Sequence, residues 1–102
     1  MKQDASSRTR LLRNNGDVVV LEDVPNVGKA IAADLRLIGI QEPKQLVGQD
    51  PYAMFERLGQ ATGLRHDPCE LDTFIAAVRF MEGGPRLPWW AFTAERKRVF
   101  KR

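Results

Sequence analysis

The chain has 102 residues, of which 43% are hydrophobic and 28% are charged, and its net charge is +3. This length suits one small domain, and the composition is typical of a globular protein rather than a disordered chain. No apolar run approaches the roughly 20 residues that a membrane span needs, and the first ten residues are mostly polar, which excludes a membrane span and a signal peptide. One cysteine and one histidine exclude an internal disulfide and a zinc site made of those residue types alone. We therefore expect a cytoplasmic protein that binds no membrane, metal or cofactor.

Basic residues are concentrated at the two ends of the chain. The net charge is +3 over residues 1–13, −5 over residues 14–85 and +5 over residues 86–102. We predict a mobile basic arm at residues 1–16, a folded domain at 17–85 and an aromatic-basic C-terminal extension at 86–102. Either the basic ends attract a polyanion, or they are solvated tails that keep the protein soluble.

Hydrophobic periodicity predicts an all-α fold of about five short helices. Residues 18–20 are three valines, but no second strand pattern can pair with them, so we expect an extended lead-in rather than a sheet. A short helix at 21–24 ends at Pro25, because a residue before proline leaves the helical region. After a tight turn, apolar residues at helical spacing predict a helix at 29–38.

The later helices are expected to begin at prolines. The predicted helices are a short one at 43–47, one at 51–61 capped by Asp50, and one that begins at Pro68 and is capped by Asp67. The last of these has the clearest apolar periodicity and ends at the Gly-Gly-Pro of 83–85. Residues 88–92 are expected to be irregular, and Thr93 to cap a final basic helical turn.

The turn before the helix at 29–38 predicts an anion site. We expect Val27 to fill the core and Gly28 to leave the N–H groups of Gly28, Lys29 and Ala30 facing outward. Unpaired N–H groups and the positive end of a helix dipole suit a phosphate, and Lys29 adds a charge.

Residues 21–40 resemble a helix-hairpin-helix motif, on Val24 to Gly28 and on Ala32 and Leu35 in the following helix. The resemblance implies a SAM-like helix-hairpin-helix domain that contacts the DNA backbone without reading sequence. Asn26 stands where the most active DNA-binding hairpins have glycine, and its side chain crowds the approach of a phosphate.

Two further segments extend the resemblance. The Arg-His-Asp-Pro-Cys-Glu-Leu-Asp of 65–72 and the Pro-Trp-Trp of 88–90 with the Thr-Ala-Glu-Arg-Lys of 93–97 are similar to the small bacterial pathogenicity-locus family, also labelled mitomycin-resistance proteins. The resemblance covers roughly residues 20–98. It implies a DNA-binding role linked to DNA damage or uptake.

We predict a non-enzymatic protein that binds DNA without sequence specificity. The residues expected to contact the DNA backbone are Asn26, Val27, Gly28, Lys29, Ala30, Arg36, Arg96, Lys97, Arg98 and Lys101. The alternative is a protein-protein interaction module or a homodimeric adaptor without DNA binding, which would dock through Trp89, Trp90 and Phe92. These aromatic residues either fold back onto the core, the interpretation we favour, or stack on single-stranded bases.

His66, Asp67, Cys69 and Asp72 form the densest set of reactive residue types. We interpret Asp67 as a helix cap, His66 as an exposed residue and Cys69 as a buried structural thiol. Their spacing matches no strong metal motif, and no catalytic residue is predicted.

Overall fold

The computed structural model describes residues 15–101, and all regular structure in that range is helical. The four α-helices are α1 (Lys29–Leu37), α2 (Pro51–Thr62), α3 (Pro68–Met81) and α4 (Thr93–Val99). Four 3-10 helices of three or four residues accompany them: Asn15–Asp17, Leu21–Asp23, Pro43–Leu46 and Trp89–Phe92. The prediction of an all-α fold is confirmed for these residues. The predicted mobile arm lies outside them, apart from its last two residues.

Helix α3 forms the centre of the core. All of residues 71–78 are buried, because this stretch is apolar on almost every side of the helix. Helix α2, α4 and the Pro43–Leu46 and Trp89–Phe92 turns all pack against it. Phe74 of α3 meets Phe55 of α2 edge to face, with ring centroids 6.3 Å apart. The rest of the molecule is therefore arranged around one buried helix.

The predicted starts of α2 and α3 are confirmed. The carboxylate of Asp50 accepts a hydrogen bond from the Tyr52 N–H at 2.9 Å, and that of Asp67 accepts one from the Cys69 N–H at 2.8 Å. Proline follows each cap at the first helical position, where its missing N–H leaves no partner unsatisfied. Gly63 ends α2 in the left-handed conformation, with φ of 69°.

Two local predictions need correction. Residues 88–92 are not irregular, because Trp89–Phe92 form a 3-10 helix. Thr93 does not cap the last helix: it is the first residue of α4, and its hydroxyl donates to Asp72 Oδ2 at 2.7 Å instead. The short helices predicted at 21–24 and 43–47 are present, as the 3-10 helices Leu21–Asp23 and Pro43–Leu46. Runs of three or four residues are too short for α-helical hydrogen bonding to propagate.

The N-terminal part of the described chain covers one side of the core. Leu21, Val24 and Val27 are buried before α1, and Ala32 and Leu35 are buried within it. Helix α1 packs on both the Leu21–Asp23 turn and α2. Among residues 15–101, no helix is both long and apolar enough to cross a membrane.

Candidate functional site

The turn that leads into α1 is built around Asn26. Asn26 has φ of 73°, and no other non-glycine residue among those described has a positive φ. Asparagine enters the left-handed region more readily than most residues, so the turn suits this side chain. The reversal of direction buries Val27, as predicted, and the Val27 N–H bonds to the Val24 carbonyl at 3.0 Å.

The residues after Val27 expose a row of backbone N–H groups. Gly28 is the N-cap of α1, and no side chain caps the helix. Within residues 15–101, the N–H groups of Gly28, Lys29 and Ala30 have no hydrogen-bond acceptor, and all three residues are exposed. The first helical hydrogen bond runs from the Ala32 N–H to the Gly28 carbonyl, at 2.9 Å. We call residues 26–30 the amide turn.

Gly28 keeps this surface open but is not required by the backbone. Its φ of −96° and ψ of −167° are accessible to any residue. A Cβ atom added to Gly28 would meet nothing within 4 Å. The missing side chain therefore matters for access to the N–H groups rather than for the shape of the turn.

The amide turn is joined to the start of the C-terminal extension by the Asn26 side chain. Its Nδ2 donates to the Leu87 carbonyl at 2.9 Å, and its Oδ1 accepts from the Trp89 N–H at 3.2 Å. Both ends of the carboxamide are thus occupied by backbone 61 and 63 residues away. These two hydrogen bonds hold residues 88–92, which we call the aromatic segment, beside the amide turn.

Two of the predicted DNA-binding cations are paired with carboxylates. Arg36 forms a two-bond ion pair with Glu22, at 3.1 and 3.2 Å, and both side chains are partly exposed. The hydrogen bond from Arg36 is the main cause that lowers the pKa of Glu22. Arg96 lies deeper: only 12% of its side chain is exposed, and its Nε is 2.8 Å from Oδ1 of the fully buried Asp72. Arg96 therefore joins α4 to α3, which is at odds with its predicted place on a phosphate-binding surface.

The other predicted cations remain on the surface. Lys29, Lys97, Arg98 and Lys101 are exposed and form no ion pair with another residue in 15–101. Lys29 belongs to the amide turn, whereas the other three lie on or just after α4, which packs against α3. The structure thus brings the amide turn close to the aromatic segment, and places these three cations on α4 and the residues that follow it.

The three aromatic residues predicted to dock a partner have different environments. Phe92 packs against the core, with the Arg79 guanidinium 5.8 Å from its ring centroid. Trp89 is half-buried and meets Trp90 edge to face, with centroids 5.5 Å apart. Trp90 is 63% exposed. Folding back onto the core, as we expected for the group, therefore describes Phe92 but not Trp90.

The reactive residues near α3 are also arranged differently from the prediction. Cys69 is exposed, not buried. Local desolvation is the main cause that raises the pKa of its thiol, and a hydrogen bond with Asp67 is the second. The thiolate is therefore disfavoured. His66 is half-buried, and its ring contacts Thr62 and Glu70.

Asp34, His66 and Glu70 form a cluster that was not expected from the sequence. One potential ligand atom from each residue lies within 4.8 Å of the other two, and all three residues are half-buried. Burial, and then the adjacent Asp34 carboxyl, raise the pKa of Glu70 to about 8. The spacing of four residues between His66 and Glu70 could have indicated that pair. Nothing local in the sequence could have placed Asp34 beside them.

Residues 15–101 thus form a small helical domain in which an exposed amide turn is joined to the aromatic segment. The chain belongs to the Cdd1 family, described as pathogenicity locus, whose family model matches residues 14–98. It is also similar to a protein of Streptomyces lavendulae named mitomycin resistance protein McrB. The two are 47% identical over 79 residues, which cover 78% of this chain and 75% of that protein. No solved structure matches the chain.

Proposed function

We propose that the protein binds the DNA backbone without sequence specificity, through the amide turn. The observation that carries this proposal is the row of exposed N–H groups of Gly28, Lys29 and Ala30, which have no acceptor among residues 15–101. They open a nine-residue helix, so its dipole adds partial positive charge at the same point. A phosphate oxygen would satisfy these donors. On this proposal, the Leu21–Asp23 turn, the amide turn and α1 form a helix-hairpin-helix unit.

The charges refine which side chains take part. Arg36 and Arg96 are left out of the proposed interface, because each is already paired with a carboxylate. The cations that remain are Lys29, Lys97, Arg98 and Lys101. Neutralising four phosphates would give a slope of roughly −3.6 for the logarithm of the binding constant against that of salt concentration.

The proposed activity is binding without catalysis, since backbone N–H groups and exposed cations can hold a phosphate without a nucleophile or a base. We extend to this chain, as part of the proposal, the role in mitomycin resistance that its relative's name states. Binding to DNA would connect that role to DNA damage.

The test is fluorescence anisotropy of a labelled DNA duplex at several salt concentrations. We expect Lys29→Glu to weaken binding at least tenfold, because it places a negative charge beside the phosphate. Lys44→Glu is the matched control: it makes the same charge change at an exposed lysine in the Pro43–Leu46 turn. Equal binding by wild type and Lys29→Glu would exclude the amide turn as the DNA site.

A second candidate function is a protein-protein contact through the aromatic segment. Trp90 is 63% exposed and the nearby Leu87 is 39% exposed, so the extension presents apolar surface to solvent. Light scattering distinguishes the two proposals. A monomer with salt-sensitive DNA binding favours the amide turn, whereas a dimer that dissociates in Trp90→Ala and ignores DNA favours the aromatic contact.

A further inference from the structure

Three residues from separate parts of the chain place metal-ligand atoms together. Asp34 lies on α1, His66 in the loop between α2 and α3, and Glu70 in the first turn of α3. Their ligand atoms lie within 4.8 Å of one another at a half-buried position. An imidazole nitrogen with two carboxylate oxygens is a donor set that Zn²⁺ and neighbouring divalent metals accept.

A neighbouring hydroxyl determines which nitrogen of His66 faces the carboxylates. The Thr62 hydroxyl donates its only hydrogen to the Leu58 carbonyl, at 2.9 Å. It accepts from the Leu64 N–H at 3.2 Å, and its oxygen is 2.8 Å from His66 Nε2. This contact orients the ring, because it holds Nε2 at Thr62 and leaves Nδ1 on the side of Glu70.

The other ring nitrogen, Nδ1, faces Glu70. Nδ1 lies 3.6 Å from Glu70 Oε1, which is too long for a hydrogen bond. The other carboxylate oxygen, Glu70 Oε2, is buried and has no hydrogen-bond partner among residues 15–101. Neighbouring ligands of a tetrahedral ion with bonds of about 2.1 Å are about 3.4 Å apart, close to the separation of Nδ1 and Oε1. Metal-bound histidines commonly donate their second N–H to a hydrogen-bond acceptor, and the Thr62 hydroxyl is placed to accept it from Nε2 of His66.

We propose that Asp34, His66 and Glu70 bind one divalent transition-metal ion. The ion would satisfy the buried oxygen of Glu70, take Nδ1 of His66 as a ligand and join α1 to the start of α3. A fourth position would be taken by water. This site is separate from the amide turn, so it stands or falls independently of DNA binding.

The binding test is calorimetric titration of the chelator-treated full chain with zinc chloride, in a Cys69→Ser background that removes the exposed thiol. We expect one equivalent to bind. Asp34→Asn, His66→Gln and Glu70→Gln should each weaken binding at least tenfold. Glu56→Gln, at an exposed position of α2, is the matched control and should bind as the parent does.

The role of Thr62 separates a built site from a chance one. Thr62→Val keeps the shape of the side chain but removes the hydroxyl, and it should weaken zinc binding by about 10- to 100-fold. Thr62→Ser restores the hydroxyl and should restore binding. Circular dichroism of each variant checks that the helices are intact.

A spectroscopic readout on the unsubstituted chain does not depend on any variant folding. His66 is the only histidine, so one set of imidazole ¹⁵N signals reports on the site. In the zinc-bound chain we expect the Nε2–H tautomer, with the larger zinc-dependent shift at Nδ1. The proposal is overturned if zinc leaves these signals unchanged, or if His66→Gln binds zinc as tightly as its parent. Asp34 and Glu70 would then be two acids that share a proton.

Discussion

Arg96 and Asp72 form an ion pair in which the carboxylate has no contact with solvent. Arg96 Nε lies 2.8 Å from Asp72 Oδ1, and the hydroxyl of Thr93 donates to Oδ2 of the same carboxylate. Both partners of Asp72 belong to α4, so this single acid on α3 positions the last helix. The hydrogen bond to Asp72 is the main reason that the pKa of Arg96 is raised.

Removing Arg96 should destabilise the protein strongly. Arg96→Met leaves the carboxylate of Asp72 buried without its charge partner, which typically costs about 3–5 kcal/mol. Urea unfolding followed by circular dichroism measures the loss. Lys97→Met is the control, because the adjacent lysine is exposed and should change the free energy of unfolding by less than about 0.5 kcal/mol. Similar losses in the two variants would contradict a structural role for Arg96.

Replacing Asn26 with glycine should destabilise the protein less than replacing it with alanine. Asn26→Gly keeps the positive φ but loses the hydrogen bonds to Leu87 and Trp89, at a cost of about 1–2 kcal/mol. Asn26→Ala loses the same bonds and adds backbone strain of about 1 kcal/mol or more, because its φ is 73° in the native turn. Thermal unfolding ranks the variants. In both, the Trp89 amide should exchange faster with deuterium, and unchanged exchange would argue against the link to the extension.

Substitutions of Gly28 should affect DNA binding more than they affect stability. Gly28→Ala and Gly28→Val should change the free energy of unfolding by less than about 1 kcal/mol, since a Cβ atom meets nothing within 4 Å. The valine side chain would stand beside the exposed N–H groups, so Gly28→Val should weaken DNA binding more than Gly28→Ala. Chemical unfolding and fluorescence anisotropy of the same samples test both statements. A large loss of stability would indicate that the glycine is needed by the fold.

The ion pair of Glu22 and Arg36 predicts a pH effect. The pKa of Glu22 lies below its ordinary value of 4.5, chiefly because Arg36 donates hydrogen bonds to the carboxylate. The ion pair therefore stabilises the fold at a pH above the pKa that Glu22 has in the unfolded chain. This stabilisation is lost as the pH falls through the lower pKa that Glu22 has in the folded protein. An NMR titration of the Glu22 carboxyl carbon should give a midpoint below 4.5, and Arg36→Gln should move that midpoint upward. A midpoint that does not move would show that the pair does not persist in solution.

Features that depend on neighbouring residues were predicted well. The Asp-Pro starts of α2 and α3, the glycine that ends α2 and the burial of Val27 all follow from interactions within a few residues. The sequence alone therefore determined an all-helical chain and the position of a turn with exposed N–H groups before α1.

Only the tertiary structure decided which charged and polar groups are free to act. Arg96 meets Asp72 from 24 residues away, and Asn26 meets Leu87 from 61 residues away. Asp34 likewise meets His66 only because the fold places α1 near the loop before α3. Hydrophobic burial brings these segments together. Because burial is not directional, no local sequence pattern shows which side chains will face each other. The sequence lists the groups that can carry charge, and the packing of the helices determines which of them are neutralised.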